Sequence, residues 1–218
     1  MENIQVLTKT NHIKKAQEKE DIMLNKERQE EVVELCQHLI QKQSYSGHED
    51  GVAGVLEEQL KKKGFDSVTV DKYGNVIGCI KGNRPGKKIL FDGHIDTVPV
   101  TDETEWQYPP FAAEIHDGKI YGRGTSDMKG AVAGFVTAAA AFAEDTKKDF
   151  AGEIYVAGVV HEECFEGVAA REISSFVKPD YVVIGEASQL NIKIGQRGRG
   201  EIVLETFGKP CHSANPEK

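Results

Sequence analysis

Nothing in this 218-residue chain approaches the roughly 20 consecutive apolar residues that span a bilayer. No membrane helix is therefore expected. The opening 26 residues are polar and lack the apolar core of a secretory signal. Cysteine is scarce: Cys36, Cys79, Cys164 and Cys211 are the four present, and no two are spaced like a zinc knuckle. A disulfide framework is thereby excluded, and free thiols in a reducing cytoplasm are expected. Basic residues are outnumbered, with 27 Lys and Arg against 35 Asp and Glu and a formal charge of −8. Nucleic-acid binding needs clustered cations on one face, so no such partner is expected. Excess carboxylate suits divalent cations or basic partners, and it equally suits a merely soluble surface.

What is present is an alternation of short apolar runs with helical patterns, without repeats or low-complexity tracts. Residues 1–25 mix charges and amides without periodicity and read as a polar lead. Over residues 26–41, Val32, Leu35, Cys36 and Leu39 recur at helical spacing. SYSGHED breaks that helix, and a second runs over 51–63 and closes at Gly64. Two β-rich runs, 67–71 and 76–81, flank Tyr73-Gly74-Asn75, a hairpin signal. Residues 88–93 form an apolar strand, and 115–121 a hairpin about Asp117-Gly118. The run AVAGFVTAAAAFAE from Ala131 is an apolar helix. Residues 153–160 form a buried strand, 168–176 a helix, and 181–184 another buried strand.

This pattern predicts an α/β fold with a largely parallel central sheet and flanking helices. At Asn191 the pattern changes to alternating runs, NIKIGQ and EIVLETFG around RGRG. Residues 26–190 are therefore assigned to one domain, and 191–218 to the start of a smaller α+β domain.

Four strand ends or following turns carry chemically related residues. FDG is followed by His94 and Asp96, two apart and so on one face of an extended chain. The turn GRGTSDMKG places Asp127 just ahead of the apolar helix. EIYVAGVV is followed by His161-Glu162-Glu163, and YVVIG by Glu186. Each has an ordinary alternative: a surface His–Asp hydrogen bond, a helix cap at Asp127, a solvated acidic pair at 162–163, a turn cap at Glu186. Their shared position makes four independent ordinary explanations a poor account. An imidazole with several carboxylates gathered at one sheet edge would repel itself unless cations were present. Mixed N and O donors suit zinc, with cobalt or manganese as substitutes. Two ions about 3.5–4 Å apart, sharing a carboxylate, would use this many ligands.

In this order, GHIDTVPV (93–100), GRGTSDMKG (122–130), HEECFEG (161–167), IGEAS (184–188) and CHSANP (211–216) resemble one family. It is the zinc-dependent aminoacylase, acetylornithine deacetylase, succinyl-diaminopimelate desuccinylase and glutamate carboxypeptidase family, and within it the branch linked to selenium metabolism is most similar. The resemblance implies a zinc-exopeptidase-like catalytic domain and, from residue 191, a lid or dimerisation domain. It implies metal-dependent hydrolysis of a C–N amide in a small amino-acid derivative, either an N-acyl amino acid or a short peptide.

By the same resemblance, His94 and Glu186 bind one metal, Asp127 bridges both, and Glu163 binds the other. Asp96 accepts the second ring N–H of His94 and fixes its tautomer. Glu162 is the general base, the peptide bond after Asp127 is cis, and His212 reaches across a homodimer to the oxyanion. Ser44-Tyr45-Ser46-Gly47 resembles the family's early substrate-side loop.

The family's remaining histidine ligand lies far downstream, and this chain does not supply it. The expectation is therefore the N-terminal portion of a protein about twice as long, with little activity of its own. Two other readings stay open: Cys164 as nucleophile with His161 as base, and a catalytically incomplete module that binds metal or another subunit.

Overall fold

The computed structural model describes residues 25–165 and 167–195, with 198, 200, 202 and 205. The expected polar lead over 1–24 and His212 lie outside the described residues. The chain divides into two compact units, one ending at Ala187 and the other beginning at Ser188.

Helix α1 (Lys26–Ile40) starts where the Asn25 side chain accepts the Arg28 N–H, and it buries Leu35, Cys36, Leu39 and Ile40. Helix α2 (Asp50–Lys62) buries Val52, Leu56 and Leu60 at intervals of four, one stripe of a helix. Strands β1 (Ser67–Val70) and β2 (Val76–Lys81) form the expected antiparallel hairpin, with Gly74 at φ +98° in its turn. Strand β3 (Arg84–His94) runs longer than the apolar pattern predicts, because its polar first half continues the ladder. A separate hairpin, β4 (Glu114–His116) and β5 (Lys119–Tyr121), turns at Asp117-Gly118.

Helix α3 (Gly130–Thr146) is alanine-rich and packs on α1, β3 and β6 (Ala151–Val159). Helix α4 (Val168–Val177) packs on β6, and strand β7 (Tyr181–Ile184) follows.

The main sheet has the order β1-β2-β6-β3-β7. The β1–β2 and β2–β6 pairs are antiparallel, while β6–β3 and β3–β7 are parallel. The sheet is thus mixed, and its parallel half carries the residues singled out above. Val76, Ile77, Ile80, Leu90, Val156 and Ala157 sit in a continuous core with the buried faces of the helices.

Strand β7 departs from expectation. Its apolar run predicts burial, yet Tyr181, Val182, Val183 and Ile184 are 41–60% exposed. It is the last strand of the sheet, and among the described residues no element covers it. An apolar run reports the tendency to be buried, and what buries it is a tertiary matter.

In the second unit, residues 191–195 form no strand. The second alternating run, EIVLETFG, lies mostly outside the described residues. Among the described residues, no helix is long and apolar enough to cross a membrane.

Candidate metal centre

Parallel strands with a shared register end at a shared level, and here the level is set by pairs such as His94 with Val159 and Asp92 with Ile184. His94 closes β3, Glu162 and Glu163 follow β6 by a few residues, and Glu186 follows β7. Their side chains converge in the crevice beyond the C-terminal strand ends, where open α/β sheets hold ligands.

His94 is the hub. Its side chain is 2% exposed, Nε2 lies 2.9 Å from Asp127 Oδ1, and Glu186 Oε1 is 3.6 Å from the same nitrogen. One candidate ligand atom from each of His94, Asp127 and Glu186 lies within 4.8 Å of the others, and the same holds for His94, Glu162 and Glu163. Both groups draw on one imidazole. On its other side, Nδ1–H donates to the Asp96 carbonyl oxygen at 3.0 Å, with the Asp96 carboxylate at 3.5 Å. The ring is therefore aimed by the backbone of Asp96 at least as much as by its side chain.

The Asp96 carboxylate is fully buried and has further partners. It accepts the Ser46 hydroxyl and the amide N–H groups of Glu162 and Glu163. Ser46 reaches it because the early loop runs beside 95–97: Thr97 N–H donates to the Ser44 carbonyl, and the Ser44 hydroxyl donates to that of Ile95.

Asp127 is carried by a turn that glycine makes possible. Gly124 has φ +87°, and a Cβ there would stand 2.9 Å from Thr97 Cγ2. The Asp127–Met128 peptide bond is cis, as the resemblance implies, and Asp127 has extended backbone angles (φ −128°, ψ 94°). Helix α3 begins beyond it, with Lys129 at the cap position, so the Asp127 side chain is directed to His94 rather than to capping. Met128 packs under the site against Gly93, where a Cβ would come within 2.7 Å of the Met128 methyl. Lys129 is fully buried and donates to the carbonyls of Leu39 and Lys42, both at 2.9 Å, fastening this turn to the C-terminal end of α1. Burial pushes its ammonium down to about 8.

The electrostatics of the cluster favour positive charge. Burial works against a protonated His94, but Asp96 and Asp127 outweigh it and push the imidazole up to about 10. Burial, then the neighbouring Glu186, pushes Asp92 up to about 6. Glu163 and Glu186 are both raised, first by burial and then by Asp127 and the other nearby carboxylates. Burial also opposes the Asp96 carboxylate, yet bonding to His94, Ser46 and the Glu163 amide holds it below its usual range. Asp127, Glu162, Glu163 and Glu186 around one imidazole form a donor set that accepts divalent cations.

Four contributors were not singled out from sequence. Asp92 adds a carboxyl to the cluster, Ser46 supports Asp96, Lys129 anchors the Asp127 turn, and Glu49 is buried against the turn after β6. Only Ser46 had a sequence signal, through the resemblance of its loop. Cys164 is exposed, with Sγ 3.8 Å from the His161 carbonyl. Burial and then the nearby acids push its thiol up, a poor setting for a nucleophile.

The family model described as "Peptidase family M20/M25/M40" matches residues 90–217. Succinyl-diaminopimelate desuccinylase 2 of Ruegeria sp. (strain TM1040) is 34% identical over 198 residues, covering 85% of this chain and 50% of that protein. Human carnosine dipeptidase 1 superposes with a TM-score of 0.62 at 25% identity, over 72% of this chain and 38% of that one. The M20 family metallo-carboxypeptidase Sso-CP2 of Sulfolobus solfataricus gives 0.61 at 25% identity, over 71% and 37%. The chain spans about half the length of the curated relatives it matches.

Proposed function

Because this chain belongs to peptidase family M20/M25/M40, we propose that it carries the metal-binding and proton-transfer side of a hydrolase that cleaves a C–N amide in a small amino-acid derivative. The observation that supports this reading most directly is the setting of His94, with Asp127 Oδ1 at 2.9 Å and Glu186 Oε1 at 3.6 Å from one ring nitrogen.

In this proposal His94, Asp127 and Glu186 hold one divalent ion. Asp127 and Glu163 would hold a second. Zinc is the proposed metal, with cobalt or manganese able to replace it. When bound, the ions supply Lewis acidity to the amide carbonyl and to water. The protein's own groups do the rest. Asp96 orients His94 and keeps its Nε2 facing the ions. Glu162 takes the proton from the attacking water and delivers it to the departing amine. Glu163 serves as ligand in this reading, and its neighbour Glu162, whose carboxylate also comes within 4.8 Å of His94 and Glu163, faces the water. His212 is proposed to contact the substrate's developing oxyanion from a partner copy in a homodimer, in the cytoplasm.

Titration of the metal-free protein with Zn²⁺ or Co²⁺, beside His94→Ala, tests the reading. Binding that His94→Ala removes is the expected result, and binding indifferent to His94 would overturn it.

A further inference from the structure

The turn after β6 delivers two of the proposed functional carboxylates, Glu162 and Glu163, yet it has an unfavourable start. His161 stands at φ +59°, in the left-handed region that a residue with a Cβ seldom adopts. Something must hold it there. The turn closes locally through the Phe165 N–H, which donates to the His161 carbonyl at 2.9 Å. That bond fixes the loop's size but does not choose the direction in which it leaves the strand.

The direction is set by two buried carboxylates from elsewhere in the chain. The Asp96 carboxylate accepts the Glu162 and Glu163 amides, each at 3.1 Å. The preceding amide, that of His161, is taken by Glu49 Oε1 at 3.0 Å. Glu49 is 5% exposed, immediately ahead of α2, and its Oε1 also lies 3.5 Å from His161 Nδ1. Three consecutive N–H groups thus end on two carboxylates, one from the loop before α2 and one from the turn after β3.

We propose that Glu49 is a positioning residue for this centre: it fixes the His161 backbone and thereby the aim of Glu162 and Glu163. The inference rests on the metal-hydrolase reading for its purpose, but the contact itself does not require a metal. Without Glu49, residue 161 is free to relax toward negative φ. The two following residues then rotate about the Asp96 contact, and Glu163 leaves the cluster. The carbonyl oxygen of a glutamine could still accept the His161 amide, whereas a methionine could not.

The test uses Glu49→Met, Glu49→Gln and, as reference, Glu163→Gln. Amide hydrogen exchange is followed in the metal-free protein, and Co²⁺ affinity is measured from the visible spectrum. Glu49→Met is expected to speed exchange at residues 161–163 by about tenfold or more, leaving the β2, β3 and β6 amides unchanged. It should also weaken Co²⁺ by about 10–100-fold, the usual loss when a support of a ligand is removed. Glu49→Gln should recover most of both.

Exchange at 161–163 that stays at the wild-type rate overturns the proposal. So does acceleration spread evenly over the sheet, which would make Glu49 a general stabiliser. If Glu49→Met leaves Co²⁺ affinity unchanged while Glu163→Gln weakens it, Glu49 has no positioning role and the metal reading stands. If the wild-type protein and Glu163→Gln both fail to bind Co²⁺, the metal reading falls, and the exchange data still decide whether Glu49 holds the turn.

Discussion

Asp96 accepts the Glu162 amide through Oδ1 and the Glu163 amide through Oδ2, both at 3.1 Å, across a sequence separation of 66 and 67 residues. One buried carboxylate therefore sets the relative position of the turn after β3 and the turn after β6. Asp96→Asn keeps one acceptor oxygen and turns an NH₂ toward the other amide. The expected result is a loss of about 10–100-fold in Co²⁺ or Zn²⁺ affinity with near-normal secondary structure, measured by competition titration and circular dichroism. Wild-type affinity in the variant would show that the turn needs no such tie.

Glu162→Ala separates chemistry from binding. If Glu162 moves the proton, then in a form of the protein that turns over a susceptible N-acyl amino acid or dipeptide the variant should lower turnover by about 10²–10⁴-fold, while its metal content is unchanged. Retained turnover would remove Glu162 from that role. Alkylation of Cys164 is the companion measurement, and it should spare activity.

Cation binding should strengthen as pH rises. Without a cation, His94 keeps its proton up to about 10, and an ion arriving at Nε2 must displace it. Affinity is then expected to increase by about tenfold per pH unit for each proton displaced. Stability of the cation-free protein runs in the opposite direction. A pKa raised on folding contributes stability that is complete below about 6.5 and lost as pH rises through about 10. Competition titrations at pH 6 and pH 7.5 check the first statement, and a flat profile would exclude His94 as a ligand.

Gly93→Ala probes the packing beneath the site. The added Cβ would meet the Met128 methyl at 2.7 Å and Val132 Cγ2 at 2.8 Å. Overpacking of this kind costs about 1–3 kcal/mol; the Met128 methyl ends a flexible side chain and can swing, but the β-branched Val132 cannot, so the strain falls on the start of α3 next to the turn that holds Asp127. A lowered thermal midpoint together with weaker metal binding is expected. Loss of stability alone would mean that the turn does not move.

The sequence was most informative where chemistry and local geometry coincide. Tyr73-Gly74-Asn75 announced a hairpin because a glycine at positive φ is a local requirement. His94, Glu163 and Glu186 stood out because they follow apolar runs that read as strands, and Asp127 because a glycine-rich turn sets it just ahead of an apolar helix. Glu49 did not stand out, since an acid ahead of a helix reads as an ordinary first-turn residue. Its inward direction depends on His161, 112 residues away. Lys129 was hidden for a similar reason: a lysine beside a helix start suggests solvent, and only the carbonyls of Leu39 and Lys42 make its burial tolerable. Burial of β7 was misread because four apolar residues in a row say nothing about which layer covers them.

That last strand has a consequence for handling the molecule. Tyr181, Val182, Val183 and Ile184 present apolar side chains at an outer ladder edge with its own N–H and C=O groups to pair. Such an edge accepts a strand from another chain as readily as one from its own. Among the described residues no strand pairs with this edge, so association that grows with protein concentration is the expected outcome, which light scattering over a concentration series checks.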